Sequence, residues 1–181
     1  MSRRQVQIVL LCEDTQHEAF VRRFLERRGW RHKPRVLKSS TGAGEQFVRE
    51  HFPTELQAIR HRHVDRALIV VIDGDNRGPA GRIAQLDAAC QARDIEPRQQ
   101  HERVAFVVPT WNIETWLAYL DGETVDERRS DYPRLERERD CSRHGTALIK
   151  MCDEGVLRSP APSSLKQTCE EFRNRIDRDE P

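Results

Sequence analysis

The chain reads as an α/β protein: a mostly parallel sheet flanked by helices, with a helical C-terminal extension. Three observations predict this. First, three short apolar runs rich in β-branched residues, Val6–Cys12, Ala67–Ile72 and Val104–Val108, have the character of strands buried on both faces of a parallel sheet. Second, segments of helical periodicity separate them, and a strand–helix–strand rhythm implies parallel pairing with right-handed crossovers. Third, each run leads into acid: Glu13 after the first, Asp73-Gly74-Asp75 after the second, and Glu114 a few residues past the third.

The elements follow in order. A strand over 6–12 precedes a helix over 16–28, with Phe20, Phe24 and Leu25 inward, arginines outward, and Gly29 ending it. A weaker strand covers 35–39. The turn Ser39–Gly44 opens a helix over 44–62, where Pro53 predicts an interruption. After the strand at 67–72, Gly78-Pro79-Ala80-Gly81 opens a helix over 80–93, in which Ile83, Leu86, Ala89 and Cys90 recur at helical spacing. The strand at 104–108 is followed by a helix from near Asn112 that carries Trp116, Leu117 and Leu120. Residues 121–143 are charged and aperiodic. A short helix spans 144–153, and Ser163 is placed to cap a last helix over 164–177. The expected division is a catalytic unit over residues 1–121 and an extension over 122–181 packed on it.

At 181 residues the chain can bury a substantial core. A formal net charge of +1 excludes a globally basic nucleic-acid binder, yet the charge is uneven. Residues 1–66 hold fourteen Lys/Arg against eight Asp/Glu, and residues 67–181 seventeen against twenty-two. The densest basic stretch is Arg22, Arg23, Arg27, Arg28, Arg31, Lys33 and Arg35, either a solvated helix face or a phosphate-contacting patch. The five cysteines are scattered without a C-x-x-C pair, which predicts neither a zinc ribbon nor a disulfide framework but reduced thiols in a cytoplasmic protein. No apolar stretch is long enough to span a bilayer, and residues 1–12 lack the pattern of a signal peptide.

In an open parallel sheet the functional crevice lies outside the carboxyl ends of the strands. If the three strong strands are neighbours, Glu13, Asp73, Asp75 and Glu114 meet at that edge. Clustered carboxylates raise one another's pKa unless a cation neutralises them, which points to a divalent metal. Asp73 and Asp75, one residue apart past a strand end, point the same way and suit Mg²⁺ or Mn²⁺ with room left for phosphate oxygens.

With these residues the chain resembles the Toprim domain of topoisomerases, primases and OLD-family nucleases, and in particular small standalone RloB-like proteins linked with phage defence. The likeness covers about residues 6–120. It rests on Cys12-Glu13 before a helix carrying Glu18, Phe20 and Phe24, on Asp73-x-Asp75, and on Pro109 followed by Glu114, Trp116 and Leu117, with a weaker echo in Ser163–Lys166. The resemblance implies a metal-dependent nuclease acting on DNA or RNA. Glu13, Asp73 and Asp75 would be the metal ligands, and Glu114 a further ligand, an orienting group or a helix N-terminal acid. Two departures stand out. Asp14 replaces the family's usual Gly, and His17 replaces an acid; these bear on a second metal more than on the first. His17 is read either as a ligand or proton carrier or as an exposed helix residue.

Gly42-x-Gly44 lacks the rest of a phosphate-binding fingerprint and reads as a turn. Trp111 and Trp116 read as core or site wall, and Glu18 as an exposed helix residue. The rival function is a non-catalytic subunit of the same fold that binds nucleic acid or nucleotide and partners an ATPase or another defence component; a homo-oligomer is compatible with either. A receiver-like phosphoacceptor fits poorly, for want of a suitably placed lysine.

Overall fold

The computed structural model describes residues 6–30, 32–61 and 65–177. Residues 1–5, Arg31 of the basic stretch and residue 62 of the expected second helix lie outside this range. The strands are β1 (Gln7–Cys12), β2 (Arg35–Lys38), β3 (Arg66–Val71) and β4 (Val104–Val107). They form one parallel sheet in the order β2-β1-β3-β4. The helices are α1 (Thr15–Arg27), α2 (Gly44–His61), α3 (Gly78–Gln91), α4 (Ile113–Leu120), α5 (Ser142–Glu154) and α6 (Ser163–Glu171). A short 3₁₀ turn, Glu138–Cys141, precedes α5, and a π turn, Phe172–Ile176, extends α6. The protein is therefore α/β, with an all-parallel sheet flanked by helices.

The strand order explains the layers. The chain moves outward from β1 to β2 through α1, then returns across β1 to β3 and continues to β4. With right-handed crossovers, that reversal puts α1 on one face and α2 and α3 on the other. Strand side chains alternate accordingly. Ile8, Leu10, Cys12, Ile69, Val71 and Val107 face Phe20 and Phe24 of α1 together with α4, α5 and α6. Val9, Leu11, Leu68, Val70, Phe106 and Val108 face Val48, Phe52 and Leu56 of α2 and Leu86 and Cys90 of α3.

The C-terminal segment belongs to the first of these layers, since Leu148, Leu165, Phe172 and Ile176 join the same apolar cluster as Phe24. It also covers the outer edge of β4. The Glu171 carboxylate accepts the Phe106 N–H at 2.9 Å and a hydrogen bond from Arg98 at 2.5 Å, so the edge strand's donor is satisfied within the chain.

Three expectations need correction. Pro53 does not interrupt α2, which runs unbroken through it; one missing N–H is outweighed by the burial of Val48, Phe52, Pro53 and Leu56 along the same helix. Ser163 is the first residue of α6 and not its cap. The helix N-terminus is met by the Glu127 carboxylate, which accepts from the N–H groups of Ser163 (2.7 Å) and Ser164 (3.2 Å) and from both hydroxyls. Finally, Cys152 and Cys169 are not free thiols. They form a disulfide between α5 and α6, a pairing set by how the two helices dock and not by any sequence spacing. Cys12, Cys90 and Cys141 are free and buried. Among the described residues no helix is long and apolar enough to cross a membrane.

Candidate functional site

The reversal of direction after β2 leaves a crevice between the carboxyl ends of β1 and β3, where α1 and the β3–α3 loop depart to opposite faces. A doubly wound sheet binds its ligands at such a point. Cys12 pairs in register with Val71, so Glu13 and Asp73 emerge side by side. Glu13 Oε1 accepts the backbone N–H of Asp73 at 2.6 Å.

The loop after β3 is tied to the loop after β4. Gly74 N donates to Pro109 O (3.0 Å) and Asp75 N to Trp111 O (2.8 Å). At Gly74 a Cβ would lie 2.2 Å from Thr110 O and 2.5 Å from Pro109 O, so only glycine admits this approach. Gly74→Ala is expected to destabilise the fold by about 2 kcal/mol in denaturant unfolding, because backbone must move to make room. Gly44 is constrained in the same way. A Cβ there would sit 2.6 Å from Glu13 Cβ, so the glycine of the 39–44 turn lets the start of α2 pack directly on the first acid.

Two side chains outside the four predicted acids organise the crevice. Asp14 caps α1 by accepting the His17 N–H at 2.9 Å, which explains an acid where the resembled family carries glycine. The cap places His17 in the first turn, facing inward. Its ring is fully buried and Nε2 lies 3.1 Å from Asp73 Oδ1, so the exposed-helix alternative is ruled out. Burial disfavours the imidazolium, but the Asp73 charge and hydrogen bond, with Asp14 and Glu13, outweigh it and push the pKa up to about 9. Nδ1 of the same ring is buried without a hydrogen-bond partner among the described residues.

The second is Arg82 of α3, only 5% exposed. Its Nε donates to Asp73 O (2.7 Å), Nη1 to Glu45 Oε1 and Gln85 Oε1 (both 2.8 Å), and Nη2 to Asp75 Oδ2 (2.7 Å). Asp75, at φ +47°, adopts the left-handed backbone conformation uncommon for non-glycine residues. One guanidinium therefore holds both ends of the Asp73–Asp75 loop.

The four acids are thus gathered unequally. The Glu13 carboxylate accepts the backbone N–H of Asp73. Asp75 feels Glu13 electrostatically, but one of its oxygens is engaged by Arg82. Glu114, in the first turn of α4, is 4% exposed and lies 3.3 Å from Arg134. Burial raises its pKa, and the Asp73 charge adds to the rise against its own backbone N–H, Arg134 and His17. Burial likewise raises the pKa of Glu13; His17 and the Asp73 N–H oppose the shift, Asp73 and Asp75 reinforce it, and the result is about 7. Glu13 is therefore able to exchange a proton near neutral pH.

Arg82 was missed in the sequence because arginine is read as surface. Its one signal is adjacency to the apolar stripe of Ile83 and Leu86. Glu18 is not an idle surface acid either: it accepts from Arg22 (2.9 Å) and from Lys38 (2.6 Å) at the end of β2. Trp116 is wholly buried core and donates from Nε1 to Ser164 Oγ at 2.9 Å.

Whether these residues fit a divalent ion is decided by donor type and charge. Among the described residues no group of three or more His, Cys, Asp or Glu is arranged to hold a metal. Mg²⁺, however, is commonly held by one or two carboxylates, with waters and substrate phosphates completing its shell. Glu13 and Asp73 supply such an all-oxygen pair; burial is the largest cause of the raised pKa of Glu13, and the His17 charge opposes it. Donor type alone matches the pair to Mg²⁺ or Mn²⁺; no preformed cluster for one metal or two is present among the described residues. No family model, curated protein or solved structure matches this chain.

Proposed function

We propose that the protein is a metal-dependent phosphodiesterase, a nuclease of the Toprim type acting on DNA or RNA. The observation that carries the reading is the contact of the Glu13 carboxylate with the Asp73 N–H at the switch point of the sheet, which brings two acids to one edge. Glu13 and Asp73 would hold Mg²⁺ or Mn²⁺, and Asp75 is the adjacent acid available on exchange with Arg82. When bound, the ion would polarise a phosphate oxygen and lower the pKa of a coordinated water.

The rest falls to the chain's own groups. His17 fixes one oxygen of Asp73. Arg82 sets the loop that carries both aspartates. Where Asp73 alone holds the ion, Glu13 is the group suited to take a proton from water, and Glu114 adds negative charge near Asp73. A role in phage defence or nucleic-acid processing, and a cytoplasmic location, belong to the same proposal.

A second reading has an observation of its own. His17 and Arg82 already place positive charge on Asp73 and Asp75, as a subunit that binds without cleaving would need. Such a subunit would keep the fold, bind nucleic acid or nucleotide, and partner an ATPase. One assay separates the two: labelled single- and double-stranded DNA and RNA incubated with Mg²⁺ or Mn²⁺. The nuclease reading expects cleavage by the native chain, none in EDTA, and a loss of roughly 10³-fold or more in Asp73→Ala. Cleavage that persists in EDTA or in Asp73→Ala would overturn it; binding without cleavage would leave the subunit.

A further inference from the structure

A groove of about 810 Å³ opens along α1 on the side of β2, lined by Thr15, Glu18, Arg22, Arg23, Lys33 and Lys38 and faced by the segment Glu136–Arg139. The α1 residues recur at the three- and four-residue spacing of one helix stripe, from Thr15 to Glu26. At 1.5 Å per residue that stripe runs roughly 16 Å away from the sheet's carboxyl edge. Its near end lies beside the candidate site. Thr15 is the second residue after Glu13, and Lys38 Nζ bonds Thr15 Oγ1 (3.1 Å) and Glu18 (2.6 Å).

Among the described residues, six cations line the groove against four acids. Glu18 is already shared by Arg22 and Lys38, and Glu26 is paired with Arg23 at 2.8 Å. The Arg23–Glu26 pair is exposed on both sides and weak, so Arg23 can turn to a phosphate at little cost. Lys33, Arg137 and Arg139 have no ion-pair partner among the described residues, and Glu136 and Glu138 are the acids left to oppose them. Among the described residues no aromatic side chain lines the groove to offer a platform for stacking bases.

We propose that this groove is the track along which a single nucleic-acid strand, held by its phosphates and not by its bases, is led to the Glu13–Asp73 pair. The proposal rests on the nucleic-acid reading of the site, but not on cleavage. A charged trough walled on one side by a helix and on the other by a loop suits one strand, and contacts limited to phosphates make recognition independent of sequence.

The test is anisotropy of labelled single-stranded and duplex oligonucleotides of scrambled sequence, in EDTA so that nothing is cut. The double variant Arg137→Glu/Arg139→Glu is compared with Arg128→Glu, whose side chain is 88% exposed and outside the groove. Thermal melts confirm that each variant folds. The expected result is single-strand binding that ignores sequence and weakens by roughly tenfold or more in the double variant, with a salt slope reduced by about two. Arg128→Glu should bind like the native chain. Equal affinity of native and double variant, preference for duplex, or no binding by the native chain would each overturn the proposal. Native binding through the groove without cleavage in Mg²⁺ would uphold the track while removing the nuclease reading; metal-dependent cleavage with unaltered binding by the double variant would do the reverse.

Discussion

Arg82→Ala is expected to lower unfolding stability by about 3 kcal/mol, measured by denaturant titration. The guanidinium is 6% exposed at the side chain and satisfies the Asp73 carbonyl, Glu45 and Asp75 together. Its removal strands a buried carbonyl and leaves Glu45 and Asp75 without their common partner. Those acids are themselves 29% and 47% exposed, so water recovers part of the loss, which keeps the figure at the low end for a broken buried pair. Arg82→Lys should not restore stability, because a single ammonium cannot donate in the forked pattern that reaches from Nε to both Nη groups. Near-native stability in both variants would show that the loop is held by its backbone ties to Pro109 and Trp111 alone.

His17→Ala is expected to cost a similar amount, about 3 kcal/mol near pH 6, and to do so with a definite pH signature. The folded pKa, about 9, lies above the ordinary value of 6.5. Stabilisation from the charged ring is therefore fully present below pH 6.5 and is lost as pH rises through about 9. The difference between native and variant unfolding free energies, measured in EDTA, should shrink across that window. What remains above it is the cost of the cavity. A difference that grows between pH 6.5 and 9 would mean that the ring is neutral in the folded protein and that Asp73 is held some other way.

Much of this architecture was legible in the chain. Four strands and six helices were read from alternation and from helical spacing, with boundaries within a residue or two except where the last helix gives way to the π turn. The acids were legible too, because a strand end is a local feature: Glu13 and Asp73 leave adjacent strands at one edge. Charge compensation was not legible. Clustered carboxylates demanded a cation, and a metal was the simplest answer from sequence; the fold supplies two cations of its own, His17 and Arg82, from helices on opposite faces of the sheet. Arg82 does not stand out in a linear reading, and His17 did so only as a departure from the resembled family and not as the partner of Asp73, since burial of a basic residue depends on which loop closes over it. The disulfide and the Glu127 contact to α6 were hidden for the same reason. Both join segments whose proximity arises only once the extension has docked against α1 and β4.

The most direct test of whether Glu13 and Asp73 share a cation is Mn²⁺ binding followed by electron paramagnetic resonance, on the native chain, Glu13→Gln and Asp73→Asn. Each variant keeps side-chain size and removes one negative charge. The expected result is one Mn²⁺ bound per native chain and strongly weakened binding in both variants, with Mg²⁺ displacing the bound ion. A native chain that binds no Mn²⁺, or variants that bind it as well as the native chain does, would contradict a shared ion at this pair.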